Sequence, residues 1–535
     1  MAQTLESLAR MPFLIAVAIT ASLVYAVIVV IYRLTFHPLA KYPGPFLARI
    51  TDWYSVYHAW KGDRHIEFYR IHQKYGKFVR FGPNRLSVNS NTALKTIYGA
   101  NANVQKSTFY NVFTHFFKTS STQTLVDKVK HGRKRRVLSY ALSDRALKAM
   151  EEAVLQNVRT FCGYLRADKN TKDVNSVSST AHHTGGGWAP AKNMANWAGY
   201  LSFDTMGDIC FGRSYGMMNG DENRYIIDVL ADGAQGLNIV GHMPGLLKIH
   251  LDKLLFRKLV QGTQRYEAYS KAQSDARVRQ DPQIECRDVF QFLLEAKDPE
   301  TGQAFSMPEL VSESSLLIIA GSDTTSTALA ATLFYLLHTP NALETLKSEV
   351  RSTFNEVEEI RSGAALSSCR FLRACIDEAM RLAPPVGGLM PREVLPGGID
   401  IDGDHVPGGI DVGTPIYALH HNEQYFPAPF NFRPSRWIAN REDQLSADSV
   451  TLAQSAFCPF SVGPRGCVGR SMAYMEMTIS LARMVWLYDM RLGEMYALGE
   501  GNSNLEAGRR REEEFQMIDK FVSKVDGPMV QFRAR

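Results

Sequence analysis

One cysteine lies in a setting that favours metal chemistry. Cys467 stands in the segment FSVGPRGCVG (residues 460–469), a glycine-rich turn directly before an apolar helix that we predict to begin near Arg470. Glycines let the backbone approach a ligand closely, and the N–H groups at a helix start, with Arg465 nearby, favour an anion. We therefore expect Cys467 to be a thiolate that can bind a soft or borderline metal. No second cysteine or histidine stands at zinc-ligand spacing, so a single axial thiolate fits haem iron better than zinc.

This segment resembles the haem loop of the cytochrome P-450 superfamily, whose motif is F-x-x-G-x-R-x-C-x-G. The resemblance covers roughly residues 43–530 and implies haem b as cofactor, with Cys467 as the axial ligand of its iron. It also implies a single large, mainly α catalytic domain with small β-sheets. The positions that carry the motif are Phe460, Gly463, Arg465, Cys467 and Gly469.

A second segment, AGSDTT (residues 320–325), lies in a long apolar stretch from Pro308 to His338. It is similar to the family's oxygen-activating segment, in which small residues such as Ala320 leave room for O₂. By that resemblance, the acid Asp323 and the alcohol Thr324 relay protons from water during oxygen activation. The alternative is structural, because serine and threonine also bond back to helix carbonyls and Asp323 could be a surface residue.

An acid and a guanidinium share one helical face at Glu378 and Arg381, three residues apart. With the downstream segment FRPSRW (residues 432–437), they resemble the family's Glu-Arg-Arg triad of Glu378, Arg381 and Arg436. The resemblance implies a buried structural charge network, in which removal of one partner leaves the others uncompensated.

The residues from Asp127 to Arg136 include six basic side chains and one acid, a local charge of +5 against +6 for the whole chain. By resemblance, His131 and Arg135 occupy haem-propionate positions, with His131 where many family members have tryptophan; histidine also donates a hydrogen bond. Arg392 and Arg465 are the other propionate candidates. The remaining cations are either a docking face for an acidic flavoprotein or an ordinary solvated basic face. They are Lys128, Arg133, Lys134 and Arg136.

Aromatic residues in the segment 109–117 fall where the family's B–C loop covers the haem. Direct substrate contact is predicted for Phe113, Ile319 and Ala320, although aromatic residues at such spacing are more often core. The rest of the expected surroundings are Phe109, Tyr110, Phe116, Phe117, Leu316 to Ile319 and Val386 to Met390. We expect an apolar substrate.

Two histidine pairs, His182-His183 and His420-His421, are interpreted as solvated rather than metal-binding. The first pair lies in a polar stretch from Lys169 to Lys192 that indicates a surface loop. The seven cysteines contain no CxxC pair, which disfavours a disulfide framework and a zinc ribbon.

The elements that must position these residues begin with 22 uncharged residues, Met11 to Tyr32. As a helix they would reach about 33 Å, enough to cross a bilayer core; a cleaved signal peptide would have a shorter apolar stretch. Arg33, Lys41 and Arg49 follow, which places the rest of the chain in the cytosol. The predicted organisation is a lumenal N-terminus (1–10), a transmembrane anchor (11–32), a proline-rich hinge (33–50) and a catalytic domain (51–535).

Periodicity predicts helices over about 140–165, 222–280, 308–338, 341–355, 371–382 and 470–489, with short strands at 77–90, at 398–416 and near the carboxyl end. Hydrophobic residues (45%) suffice for a large core, and the excess of 60 Lys and Arg over 54 Asp and Glu is too small for a nucleic-acid coat. A chain of 535 residues has no room for a fused reductase.

Taken together, the resemblance implies a haem-thiolate monooxygenase of the endoplasmic reticulum membrane that hydroxylates or epoxidises a hydrophobic molecule. Its expected partners are a separate NADPH-cytochrome P-450 reductase, with cytochrome b5 as an optional second donor. The segment HPLAKYPGPF (residues 37–46) is similar to filamentous-fungal members that act on terpenoid, polyketide or alkaloid intermediates. The alternatives are a haem-thiolate isomerase or dehydratase that needs no O₂, a monooxygenase of aromatic or xenobiotic compounds, and a non-catalytic membrane haem carrier or sensor.

Overall fold

Helices dominate the described part of the chain, as the periodicity predicts. The computed structural model describes residues 2–117, 119–166, 187–245, 257–279, 288–298, 301–439, 446–493 and 497–535. Seven helices fall in the six predicted regions, since the region 222–280 contains two, and the mainly α class is confirmed. The α-helices are Ala2–Ile31, Phe46–Ile50, Trp53–Lys61, Arg64–Tyr75, Asn91–Tyr98, Asn111–Phe117, Lys128–Ala141, Asp144–Arg166, Met194–Phe211, Tyr225–Gly241, Arg257–Val278, Val289–Glu295, Met307–His338, Pro340–Thr353, Ala364–Ser368, Arg370–Leu382, Ile416–His420, Ala447–Ala456 and Arg470–Leu487.

The helix Met307–His338, called the central helix below, passes through the main hydrophobic core. A capping box of Ser306 and Glu309 begins it and a proline stands in its first turn, so the free N–H groups of the first turn are satisfied. Thr339-Pro340 ends it, because a proline cannot continue the helix. Its carboxyl half is buried on nearly every side, which holds the segment 320–325 at a fixed height in the protein.

Small sheets lie at one side of this helical body. A five-stranded sheet has the strand order Phe78–Gly82, Arg85–Val88, Asp411–Gly413, Arg392–Val394, Val104–Lys106, in which the second and third strands are parallel and the other pairs antiparallel. Its last pair places Lys106 directly opposite Arg392. The other strands are Lys192–Asn193, Ile399–Ile401, Asp404–Val406, Tyr488–Leu492, Met517–Lys520, Val522–Val525 and Met529–Ala534.

The amino-terminal helix Ala2–Ile31 continues as a π-helix over Tyr32–Phe36. The span Phe13–Phe36 has a mean hydropathy of 2.8 and none of it is buried in the protein, so it is a candidate membrane anchor; the central helix passes the same length test but is 61% buried and belongs to the core. The base of the anchor is tied to the body: Arg33 donates to the carbonyl of Ile50 (2.5 Å), and Arg80 donates to the carbonyl of Arg33 (2.7 Å). The segment 33–50, predicted as a hinge, also contacts the body at His37, Lys41 and Pro43, which bind Asn84, Asp404 and the amide of Arg80.

One histidine prediction is wrong. His420 and His421 are fully buried, because they follow the apolar helix Ile416–His420 into the core. The amide of Cys458 donates to His420 Nε2 (3.0 Å), and His421 Nδ1 lies 2.9 Å from the carbonyl of Tyr417. Burial lowers the pKa of His420 to about 3, so this ring is a neutral structural group. The pair His182-His183 lies outside the described residues.

Candidate functional site

The cysteine loop (Phe460–Gly469) is folded by its own backbone. The amide of Cys467 donates to the carbonyl of Phe460 (2.8 Å), and the amide of Gly466 donates to that of Gly463 (2.9 Å). Gly463 has φ +70°, and a Cβ atom there would overlap the carbonyl oxygen of Tyr98, so only glycine fits. The helix Arg470–Leu487 begins directly behind the loop.

Cys467 is the one exposed thiol among the cysteines that the structure describes, since Cys162, Cys210, Cys369, Cys375 and Cys458 are buried. No group of three or more histidine, cysteine, aspartate or glutamate side chains in the described ranges is placed to hold a metal ion. Within that part of the protein, a lone thiolate is therefore the available metal ligand, which suits an iron whose other ligands come from a porphyrin.

The thiolate form of Cys467 stays a prediction, because the protein side chains around it do not by themselves favour the ionised sulfur. The surrounding protein desolvates the thiol and raises its pKa above the ordinary value, although the amide of Gly469 and the charges of Arg135 and Arg470 act in the opposite direction. Arg465 contributes little, because its guanidinium donates to the carbonyls of Leu125 (2.7 Å) and Val126 (2.9 Å). Direct bonding to a metal is what deprotonates such a thiol.

The four propionate candidates lie in one region of the protein. His131 is buried, and its pKa falls to about 3 because of burial and of the positive charges of Arg465, Lys106, Arg135 and Arg392, in that order. Arg135 donates to the carbonyl of Gly466 (2.5 Å), which connects this region to the cysteine loop. Arg392 lies 4.8 Å above the ring of Tyr98.

Lys106 is a member of this cluster that the sequence analysis missed. It is 6% exposed, its ammonium group lies 4.0 Å from the ring centre of Tyr110, and burial together with Arg392 and Arg465 lowers its pKa well below the ordinary value. Within the described residues, no carboxylate forms an ion pair with Lys106, Arg135, Arg392 or Arg465. Buried cations without acids indicate that an anionic group binds here, and two propionates fit that requirement.

The interpretation of the remaining basic residues as a docking face is wrong for Lys134, which is 5% exposed and pairs with Glu313. Arg133 and Arg136 both approach Asp298, at 3.6 and 3.5 Å. Lys128 stays exposed. Most of the local positive charge is therefore neutralised inside the protein or directed towards the cluster around His131.

Asp323 and Thr324 lie in the middle of the central helix. Thr324 Oγ1 donates to the carbonyl of Ala320 (2.6 Å), so the back-bond considered as the structural alternative is present. Asp323 is half-buried, and burial raises the pKa of its carboxyl group to about 7, while the charge of Lys524 lowers it in part. A carboxyl group with such a pKa both holds and releases a proton near neutral pH.

The predicted triad is in contact. Glu378 and Arg381 are fully buried and joined by two hydrogen bonds of 2.9 Å, and Arg436 Nε lies 3.3 Å from Glu378 Oε1. Burial opposes ionisation of Glu378, but Arg381 and then Arg436 lower its pKa below the ordinary value. Trp437 also donates to this carboxylate (3.0 Å), a contact that sequence reasoning did not anticipate although Trp437 directly follows Arg436.

A cavity of about 530 Å³ borders the central helix at Leu316, Ile319, Ala320 and Thr324. Phe113 and Val386 also line it, and their contact with a substrate stays a prediction. Phe109 and Tyr110 pack behind Phe113 in a separate cluster; the side chains of Phe116 and Phe117 lie outside the described part. The residues that sequence reasoning missed come mostly from distant segments and are Thr119, Ser121, Gln123, Thr124, Val229, Leu230, Gly233, Ala234, Leu237, Gly262, Lys271, Asp275, Met307, Pro308, Val311, Ser312, Ser315, Phe521 and Val522.

The Cytochrome P450 family profile matches residues 43–495. A cytochrome P450 monooxygenase, AKT7, from Alternaria alternata is 42% identical over 513 residues, which cover 95% of each chain. Cytochrome P450 monooxygenase apf7 from Gibberella fujikuroi is 39% identical, with 97% of this chain and 98% of the relative covered. Cytochrome P450 monooxygenase atnE from Emericella nidulans is 37% identical, with coverage of 94% and 93%.

Proposed function

Because the chain belongs to the cytochrome P450 family, an oxidoreductase family that uses a haem-thiolate cofactor, we propose that it inserts one oxygen atom from O₂ into a hydrophobic small molecule by hydroxylation or epoxidation. The observation that carries this proposal is the pairing of the exposed thiol of Cys467 with a cluster of buried and half-buried cations that, in the part of the chain that the structure describes, form no ion pair with an acid. We infer haem b as the cofactor: Cys467 would bind its iron, and His131, Arg135, Arg392, Arg465 and Lys106 would hold its propionates.

When bound, a haem-thiolate centre supplies the activation of O₂ with two electrons from NADPH. The chain's own residues then have three tasks. Cys467 binds the iron, and the cysteine loop with Phe460, Gly463 and Gly469 holds its sulfur in place. Asp323 would pass a proton from water into the site, and Thr324, whose side chain lines the cavity, would orient that proton path.

The proton path is supported by the position of Thr324 and by the hydrogen-bonding state of its neighbour Asp323. Thr324 lines the cavity, and among the described residues no side chain donates a hydrogen bond to the Asp323 carboxyl group, which leaves that group free for water. Loss of either group is expected to uncouple NADPH consumption from product formation, because the second proton then arrives too slowly.

Members of this family take electrons from a reductase partner. For this chain we infer an NADPH-cytochrome P-450 reductase, with cytochrome b5 as an optional second donor, and the endoplasmic reticulum membrane as the location. Exposed apolar side chains beside the anchor support membrane contact: on the helices Phe46–Ile50 and Trp53–Lys61, five such residues are 51–62% exposed. They are Phe46, Leu47, Trp53, Tyr57 and Trp60.

We infer a role in fungal secondary metabolism, with a terpenoid, polyketide or alkaloid substrate, from the proline-rich segment 37–46 and from the fungal relatives. The competing activity is a haem-thiolate isomerase or dehydratase that uses neither O₂ nor a reductase. The acid and alcohol pair at 323–324 favours the monooxygenase, because an isomerase needs no proton delivery.

The test is to add carbon monoxide to the purified, reduced protein and to record its absorption spectrum. Thiolate ligation gives a strongly red-shifted band, and replacement of Cys467 by His should convert it to an imidazole-type spectrum. A wild-type protein that is folded but shows an imidazole-type band would overturn the assignment. A second assay incubates the protein with reductase, NADPH and a metabolite extract of a host that lacks it; new products that carry ¹⁸O from ¹⁸O₂ support monooxygenation, and products that form equally well without O₂ support the isomerase.

A further inference from the structure

A buried ion pair lies beside the cavity and takes no part in the proposed chemistry. Lys134, on the helix Lys128–Ala141, is 5% exposed, and Glu313, on the central helix, is fully buried. Lys134 Nζ lies 3.2 Å from Glu313 Oε1 and 3.5 Å from Glu309 Oε1. Glu313 comes directly after the cavity-lining residue Ser312.

Both partners also bind the backbone of the same short segment. Lys134 Nζ donates to the carbonyl of Ser120 (2.6 Å), and the amide of Thr122 donates to Glu313 Oε1 (2.7 Å). Ser312 Oγ adds a hydrogen bond to the carbonyl of Thr119 (3.1 Å). Residues 119–122 are therefore fastened at three points to two helices.

The fastened segment is one wall of the cavity. The lining residues of this segment are polar, namely Thr119, Ser121, Gln123 and Thr124, whereas Leu316, Ile319 and Val386 on the other side are apolar. The wall has internal order as well, because the amide of Ser121 donates to Thr124 Oγ1 (2.9 Å). Within the described residues the carboxamide of Gln123 has no protein partner.

A buried ion pair adds little net stability over apolar residues of similar size, because desolvation offsets the attraction. The contribution of this pair is to position the segment 119–124. Lys134 holds the carbonyl of Ser120, and Glu313 holds the amide of Thr122 two residues further on. The two contacts together fix the place and the orientation of the segment relative to the central helix.

We propose that Lys134 and Glu313 are positioning residues for substrate specificity: they fix the hydrogen-bonding wall formed by residues 119–124. The substrate is accordingly an apolar molecule with a hydroxyl or carbonyl group that meets this wall. The inference rests on the proposed function in one respect, since it takes this cavity to be the substrate site.

The test uses full-length holoprotein and azole probes that bind the haem iron. The probes are imidazole, a series of 1-alkylimidazoles with chains of two to eight carbons, and the same series with a terminal hydroxyl group. The variants are E313Q, K134M and the double variant K134M/E313M, whose apolar side chains fill the buried space without charge. R133M is the matched control: it removes the neighbouring cation of the same helix, and Arg133 makes no described contact with residues 119–124.

For each protein the preference is the dissociation constant of the alkyl probe divided by that of the hydroxylated probe of the same chain length. At one or more chain lengths, this ratio should be at least fivefold larger for wild type and for R133M than for the double variant. Imidazole, which is too small to reach the wall, should bind all proteins within twofold. A preference that is the same within twofold in wild type and double variant at every length overturns the proposal.

Hydrogen exchange of the wild-type protein gives a second measurement that does not depend on the variants. The amides of residues 119–124 should exchange at least tenfold more slowly than those of the exposed turn 220–224, and equal rates overturn the proposal. Azole binding involves no turnover. A failure to find oxygenated product would therefore count against the monooxygenase proposal alone, and an unchanged probe preference against the positioning role alone.

Discussion

Removal of the Glu378 carboxylate should destabilise the fold strongly. Five hydrogen bonds reach this group: two from Arg381, one from Arg436, one from the Trp437 indole and one from the Arg433 amide. Glu378→Ala would leave the buried guanidinium of Arg381, which is fully enclosed, and that of Arg436, which is 5% exposed, without a counter-charge.

Breaking a buried pair in this way costs about 3 to 5 kcal/mol, a change of roughly 10²- to 10⁴-fold in the unfolding equilibrium. Arg381 also donates to the carbonyls of His420 (2.8 Å) and Pro429 (2.7 Å), so the segment that leads towards the cysteine loop should loosen with it. The free energy of unfolding is measured by urea titration, followed by near-ultraviolet circular dichroism and by the carbon monoxide band.

Glu344→Ala is the matched control. Glu344 pairs with Lys347 at the same three-residue spacing (2.7 Å) but is 69% exposed, so its removal should cost no more than about 1 kcal/mol. An equal loss in the free energy of unfolding in the two variants would refute the reasoning, because burial of the network would then make no difference to its contribution.

Three further outcomes are expected. Gly463→Ala should lower haem occupancy severalfold, since its Cβ would overlap the carbonyl of Tyr98. The control Gly216→Ala has nearly the same positive φ (+68°) but lies in open space, so this variant should keep its haem. Equal haem content in the two variants would contradict the steric argument. With a carboxyl pKa of about 7, Asp323 carries a proton below pH 7 and loses it above, so the amount of product formed per NADPH should fall as pH rises from 6 to 8.5. The variant Asp323→Asn should flatten this pH profile. An identical slope in the variant would contradict the role of Asp323 as a proton relay. Deletion of residues 1–35 should move much of the protein from the membrane pellet to the supernatant, while the exposed apolar residues of 46–60 keep a salt-resistant fraction bound; a wild-type protein that is already in the supernatant contradicts the anchor.

Much of the fold and the core of the site could be predicted because their signals are local. The cysteine loop carries its own backbone hydrogen bonds and its required glycine within ten residues, so the motif and the geometry coincide. The central helix has a capping residue, a first-turn proline and a terminal Thr-Pro in the sequence itself.

The remaining features depend on residues that are distant in the chain. Lys134 looked like a surface cation because the adjacent residues Arg133, Arg135 and Arg136 are basic, and its partner Glu313 meets it only after folding. Lys106 has no motif around it, and its role follows from a strand pairing that sets it opposite Arg392. For His420, the buried apolar residues Ile416, Ala418 and Leu419 around it did carry a signal that the interpretation as a solvated pair overlooked.

The two backbone bonds of Arg33 and Arg80 at the foot of the amino-terminal helix have a mechanical consequence. A helix that is longer than the local hydrocarbon thickness leans over, and it leans less in thicker lipid. If this helix spans a bilayer, the hydrogen bond from Arg80 to its foot would pass part of any change of that lean on to the body. The thickness of the lipid would then influence how near to the headgroups each part of the body lies.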